Sequence, residues 1–246
     1  LAYTRVDESP VEEVERFEIY ADTVKVVRQR YPFTGARNAR VDLFFVPLGG
    51  EGAVQVDLGS DPDFYLARVN WLPGSSAAFV QRQSRDQKTL TLLWADAATG
   101  ATREVLTETS DTWVPLHHEL TFLKRTPRFI WASQRSGYKH LYLYELDGTL
   151  VRQLTDGPWM VVGSGSGRAI RGVDEKKGLV YFMANADTPL ERHLYSVSLN
   201  TTTSTPLRMT REDGWHTVTL SNDARYFLDT WSTPERPPTL SLRNID

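Results

Sequence analysis

Apolar residues fall along this chain in short runs, and the runs recur. Four of them open on a leucine and close on a turn: Leu43-Phe44-Phe45-Val46-Pro47-Leu48-Gly49, Leu90-Thr91-Leu92-Leu93-Trp94-Ala95-Asp96, Leu141-Tyr142-Leu143-Tyr144-Glu145-Leu146-Asp147 and Leu194-Tyr195-Ser196-Val197-Ser198-Leu199-Asn200. Their first leucines are 47, 51 and 53 residues apart. A repeat of roughly 40–50 residues is the length of one four-stranded propeller blade.

The surroundings of each run repeat as well. Three of the four follow an apolar strand: Ala77-Ala78-Phe79-Val80-Gln81, Phe129-Ile130-Trp131-Ala132-Ser133 and Leu179-Val180-Tyr181-Phe182-Met183. Turns rich in Gly, Asp or Asn end the runs, at Gly49-Gly50, Thr99-Gly100, Asp147-Gly148 and Asn200-Thr201. A returning strand follows, as at Leu150-Val151-Arg152-Gln153-Leu154. Each unit then runs into a loop that includes or leads to a tryptophan: Trp71, Trp113, Trp159 and Trp215. No i, i+3, i+4, i+7 apolar stripe lasts three turns without Gly or Pro, so helix is not expected. A β-sandwich would also show short, regularly spaced strands. The period and its repeated internal grammar favour an all-β propeller of four-stranded antiparallel blades, about four to five of them in residues 1–246.

One segment departs from the repeat. Residues 7–35 alternate polar and apolar positions but are too many for one hairpin, with Val11, Phe17, Ile19, Tyr20, Val24 and Val26 set among charges. Two readings fit: an extended arm inserted in the first blade, or an ordinary edge hairpin.

Composition narrows the function classes. With 40% hydrophobic and 24% charged residues the chain is globular, not disordered. A net charge of -3 of mixed sign offers no basic footprint, so no nucleic-acid partner is expected. No apolar run approaches the roughly 18 residues of a membrane span. The absence of cysteine excludes disulfides, thiolate catalysis and thiolate zinc sites together. The opening Leu1-Ala2-Tyr3-Thr4-Arg5-Val6 reads as the middle of a strand, and the chain is therefore expected to be part of a longer polypeptide.

Catalytic motifs are missing. Within Gly163-Ser164-Gly165-Ser166-Gly167 no serine has glycine two residues before and two after, so the strained G-x-S-x-G turn of a serine hydrolase is absent. Arg168 stands where a dinucleotide loop needs its third glycine, and no Lys-Ser/Thr follows. The cluster reads as an inter-strand loop. None of His117, His118, His140, His193 and His216 has metal-site spacing. His140 and His193 each precede a repeated Leu-Tyr pair, which points to a structural role. His117 and His118 lie apart, in a loop after Trp113-Val114-Pro115-Leu116. The acidic groups Asp7-Glu8 and Glu12-Glu13 fit a solvated face or a site for a cation or amine. Asn200-Thr201-Thr202 is a glycosylation sequon of the sort chance supplies. Catalytic residues, cofactors and metal sites are expected to be none.

Tyr31-Pro32-Phe33-Thr34-Gly35-Ala36-Arg37-Asn38-Ala39-Arg40-Val41, directly before an apolar strand, resembles the propeller domain of dipeptidyl peptidase IV enzymes, in the prolyl oligopeptidase family. Asp7-Glu8-Ser9-Pro10-Val11 resembles the entry to that family's extended arm. Gly137-Tyr138-Lys139-His140-Leu141-Tyr142 resembles its G-[YF]-x-H-[LI]-x signature. Leu154-Thr155-Asp156-Gly157-Pro158-Trp159-Met160-Val161 resembles its blade ending.

The resemblance implies an eight-bladed ring, of which this chain is about the second half, capping an α/β-hydrolase domain and gating short peptides. It puts the substrate-binding glutamate pair upstream of Leu1 and the Ser-Asp-His triad downstream of Asp246. The reaction implied is release of N-terminal X-Pro or X-Ala dipeptides. The arm would reach a partner subunit in a homodimer, through Val11, Phe17, Ile19, Tyr20, Val24 and Val26. Residues 113–119 match a loop that lines the outer substrate pocket in animal members, with Leu116, His117 and His118 in roughly those places and the family's arginine missing. Partners implied are a peptide substrate and the chain's own hydrolase domain, and the compartment is the bacterial periplasm or the medium. The propeller of another oligopeptidase and a non-catalytic propeller binding proteins or sugars are the alternatives. A G-x-S-x-G downstream would exclude the non-catalytic one, and a Glu-Glu pair upstream would exclude the other oligopeptidases.

Overall fold

The computed structural model describes residues 1–50, 52–163, 167–201 and 205–245. The middle of the glycine-serine cluster, Ser164 to Ser166, and the last sequon residue, Thr202, lie outside the described residues. The chain divides into two compact units, Leu1–Val114 and Pro115–Asp246.

The first unit contains β1 (Ala2–Asp7), β2 (Glu13–Ile19), β3 (Val24–Arg30), β4 (Arg40–Phe45), β5 (Val54–Gln55), β6 (Phe64–Trp71), β7 (Ala77–Ser84), β8 (Thr89–Asp96) and β9 (Thr102–Thr109). Strands β6 to β9 form a four-stranded antiparallel sheet in chain order, and β1-β4-β5 form a three-stranded one. Among the described residues strands β2 and β3 pair only with each other, as a separate ribbon between β1 and β4 in the chain.

The second unit contains β10 (Thr121–Phe122), β11 (Arg128–Ser133), β12 (His140–Glu145), β13 (Leu150–Gln153), β14 (Ile170–Asp174), β15 (Leu179–Ala184), β16 (His193–Ser198), β17 (Leu207–Arg208), β18 (Trp215–Leu220), β19 (Tyr226–Thr233) and β20 (Arg236–Asn244). They make two four-stranded sheets, β10 to β13 and β14 to β17, and a three-stranded sheet, β18 to β20. No helix occurs among the described residues.

The repeated leucine runs lie on β4, β8, β12 and β16, the third strand wherever the sheet has four. The apolar runs before three of them are the second strands β7, β11 and β15. Their near-continuous burial shows both sheet faces covered, which is why the sequence there is a run instead of an alternation. Strands β18 and β19 alternate between buried and exposed positions, so one face of that sheet is bare. The tryptophans are not equivalent: Trp71 and Trp215 belong to first strands, Trp113 and Trp159 to loops.

Two carboxylates fasten consecutive sheets in the second unit. Glu119, buried ahead of β10, accepts the N–H groups of Ala169 and Ile170 at 2.7 and 3.0 Å. Glu175 accepts those of Lys124 and Arg125, at 2.6 and 2.8 Å. Between them packs one apolar cluster that includes Ile130, Leu141, Val180 and Phe182.

Candidate functional site

The ribbon's register explains its surface. Phe17 faces Val26 and Ile19 faces Val24 across the ladder. Cross-strand partners share a face, and residues two apart share it too. These four exposed side chains therefore form one apolar patch at the ribbon tip. Toward the base, on that same face, Glu15 and Arg28 pair at 3.0 Å. Tyr20 is exposed and donates its hydroxyl to Glu18 at 2.9 Å. Val11 differs from the other arm residues: it is 3% exposed, and its carbonyl accepts Arg30 Nη1. In this position it offers a partner no surface.

The loop ahead of β10 separates its three candidates. Leu116 and His118 are exposed. His117 turns inward, its ring edge-on to the buried Trp131 at 4.4 Å, and its Nδ1 accepts the Glu119 N–H at 3.2 Å. Leu116 and His118 can meet a ligand as they stand, whereas His117 shapes the loop beneath them.

The repeated histidines do the same job twice. His140 Nε2 lies 3.0 Å from Gly157 O, and His193 Nε2 lies 3.0 Å from Glu191 Oε2. Both partners can only accept, so each Nε2 carries the proton. Each Nδ1 then accepts from a threonine hydroxyl, Thr155 at 3.0 Å or Thr210 at 2.9 Å. The same hydroxyls accept the N–H of Leu141 and Leu194. Burial holds both imidazoles below their ordinary value of 6.5. Trp159 stands edge-on to His140, and Gly157 adopts φ +132 so close that a Cβ there would meet Trp159 Nε1 at 2.3 Å. This is the physical content of the Leu154–Trp159 motif.

His216 and Asp229, both fully buried, pair at 2.8 Å through Nδ1. A buried His-Asp pair is also the base and orienter of a serine triad. Here, however, Nε2 points at Glu212 O, 2.8 Å away, and no nucleophile can take that place. Arg243 sits 3.0 Å from Asp229 and 2.7 Å from Glu212, close enough for ion pairs although its Nε is not aligned as a hydrogen bond. Arg192 is 1% exposed and bonds to His216 O, Gly163 O and Thr217 Oγ1, with its guanidinium 4.4 Å from the Trp215 ring. Burial, with help from Arg171 nearby, pushes it down to about 10. No motif or spacing in the sequence singles out Glu119, Arg192 or Asp229.

Repeated four-stranded antiparallel sheets, two of them with the third strand fastened to the fourth-strand exit by a His-Thr relay, define a propeller of the blade type. The model of the dipeptidyl peptidase IV (DPP IV) N-terminal region matches residues 1–238, and the chain belongs to that family. It is 29% identical over 235 residues to the probable dipeptidyl-aminopeptidase B of Coccidioides posadasii, covering 89% of this chain and 25% of that protein. The crystal structure of Porphyromonas gingivalis dipeptidyl peptidase 4 matches in fold with TM-score 0.85 at 23% identity, over 99% of this chain and 33% of that one. A putative dipeptidyl aminopeptidase IV from Bacteroides ovatus matches with TM-score 0.84 at 25% identity, over 99% and 36%. The chain thus spans about a quarter of the length of the curated relative and about a third of the solved structures.

Proposed function

We propose that these blades form part of the substrate gate of a serine dipeptidyl peptidase, positioning peptides for release of N-terminal X-Pro or X-Ala dipeptides by a separate hydrolase domain. The observation carrying this reading is the family match across residues 1–238, in line with the names of the relatives. The chemistry follows from the resemblance. Two carboxylates upstream hold the substrate ammonium in charge-assisted contacts, which sets the scissile bond after the second residue. A triad and oxyanion hole in the hydrolase domain perform the acyl transfer. In this arrangement the blades contribute walls, with Leu116 and His118 on the outer rim and His117 supporting them.

The ribbon is proposed to pair two subunits through the patch of Phe17, Ile19, Val24 and Val26, with Tyr20 at its edge. A periplasmic or secreted bacterial location completes the reading. The test is the full protein from the parent reading frame, assayed with X-Pro and X-Ala chromogenic amides and their N-acetylated forms. Release from the free-amine substrates alone is expected. No release, or equal release from the acetylated forms, would overturn the reading.

A further inference from the structure

An open cleft of about 530 Å³ lies in the second unit, lined by parts of the first strands of three successive sheets and by Arg168 ahead of β14. Its polar wall comprises Thr121, Arg168, Arg171 and Thr219, and no acidic residue lines it among the described residues. Arg171 is placed there by a β-bulge. Ile170 pairs with Phe182 and Gly172 with Tyr181, leaving Arg171 the extra residue without a cross-strand partner. Bulges of this kind re-aim a side chain, and they are frequent beside binding sites. Gly172 keeps the neighbouring strand close, since a Cβ there would meet Leu220 Cδ2 at 2.5 Å.

The charges around this cleft do not balance. Arg171 is half-buried, and its Nε and Nη2 are shielded from water without any hydrogen-bond partner. The carboxylate acting on it is that of Glu119, whose two oxygens are already engaged by the N–H groups of Ala169 and Ile170. Arg192 lies close enough to feel Arg171, and its own partners are carbonyls and a hydroxyl. Arg168 is exposed and holds Leu120 O and Thr121 Oγ1 through one nitrogen. Two guanidiniums, Arg168 and Arg171, thus line the cleft, with Arg192 buried nearby, and the carboxylate acting on Arg171 is already engaged. An unpaired buried cation is costly, and a ligand anion relieves that cost.

We propose that this cleft is an anion site that takes a peptide carboxylate, with Arg171 and Arg168 as the cationic wall and Thr219 as a hydroxyl donor. That the anion belongs to a peptide rests on the dipeptidyl peptidase reading. The excess of cationic groups stands without it. A guanidinium recognises a carboxylate through paired N–H groups, so removing the ligand's charge while keeping its shape is the sharpest probe.

The test is calorimetric binding to the full protein of N-acetyl-tetraalanine as the free acid and as the C-terminal amide, at low ionic strength. N-acetylation removes both the amine contact and cleavage, so this outcome is independent of whether the enzyme releases dipeptides. The acid should bind about tenfold more tightly than the amide, or about 1.4 kcal/mol, with an advantage that shrinks as salt is added. Arg171→Gln should erase the difference. Arg168→Gln, at an exposed position, should reduce it. An internal Glu placed in the amide peptide distinguishes a side-chain carboxylate from the C-terminal one. Equal binding of acid and amide to the unmodified protein overturns the proposal. So does an acid preference left intact in both variants. Inorganic phosphate competing as well as the acid peptide would leave only a small-anion site and overturn the peptide assignment.

Discussion

Nδ1 of His216 lies 2.8 Å from Oδ1 of Asp229, and neither side chain is exposed to solvent. Removing one partner of such a pair leaves a buried polar or charged group alone. Asp229→Ala should therefore destabilise the full protein by about 3–5 kcal/mol, read as a lower denaturant midpoint. A loss under about 1 kcal/mol would mean that Arg243 and Glu212 reorganise to replace it.

Acidification should weaken the fold through His140 and His193. Burial holds both below 6.5, so the unfolded chain takes up protons near 6.5 that the folded chain refuses. Their stabilising effect is full above 6.5 and is lost as pH falls through the depressed folded values. The urea midpoint should drop between about pH 7.5 and about pH 5.5. His140→Gln and His193→Gln should flatten that slope. A midpoint that rises on acidification would contradict the sign.

Thr155 accepts the Leu141 N–H while its hydroxyl serves His140. Thr155→Val keeps the shape and strands two buried groups, at about 1–3 kcal/mol, whereas Thr155→Ser should cost much less. Equal losses in the two variants would assign the effect to packing instead. Nearby, Gly157→Ala meets both a positive φ of +132 and the Trp159 ring. A loss of at least about 1–3 kcal/mol is expected from the backbone strain alone, and a neutral thermal melt would count against this geometry.

The candidate loop divides into a support and a rim. His117→Ala should lower stability, because it deprives Trp131 of its ring contact and the Glu119 N–H of its acceptor. His118→Ala, at an exposed position, should alter KM for longer peptides. If KM stays the same in the full enzyme with both histidines replaced, the loop plays no part in substrate contact.

Ile19→Asp and Val24→Asp place two like charges directly opposite each other on the ribbon tip. Sedimentation should show the full protein shifting toward monomer while its thermal midpoint is unchanged. An unaltered sedimentation profile would remove the ribbon from the interface.

What was legible in the sequence was periodic. Leu43, Leu90, Leu141 and Leu194 marked their strands because a strand covered on both faces needs an unbroken apolar run, and the covering recurs with each sheet. His140 and His193 were legible for the same reason. The fastenings were not. Glu119 reaches N–H groups fifty residues on, and Glu175 bonds as far back along the chain, so no local spacing announces either. Arg171 was hidden because a bulge adds one residue without altering composition. Val11 looked like its neighbours on the ribbon, yet burial at the ribbon's base sets it apart.

Glu175 grips its neighbour by the main chain, at the N–H groups of Lys124 and Arg125. Every residue except proline carries that donor. The joint is therefore indifferent to which side chains occupy positions 124 and 125. Replacing Lys124 or Arg125 with another non-proline residue leaves that N–H in place, so the fastening of the two sheets depends on Glu175 and not on the side chains it meets.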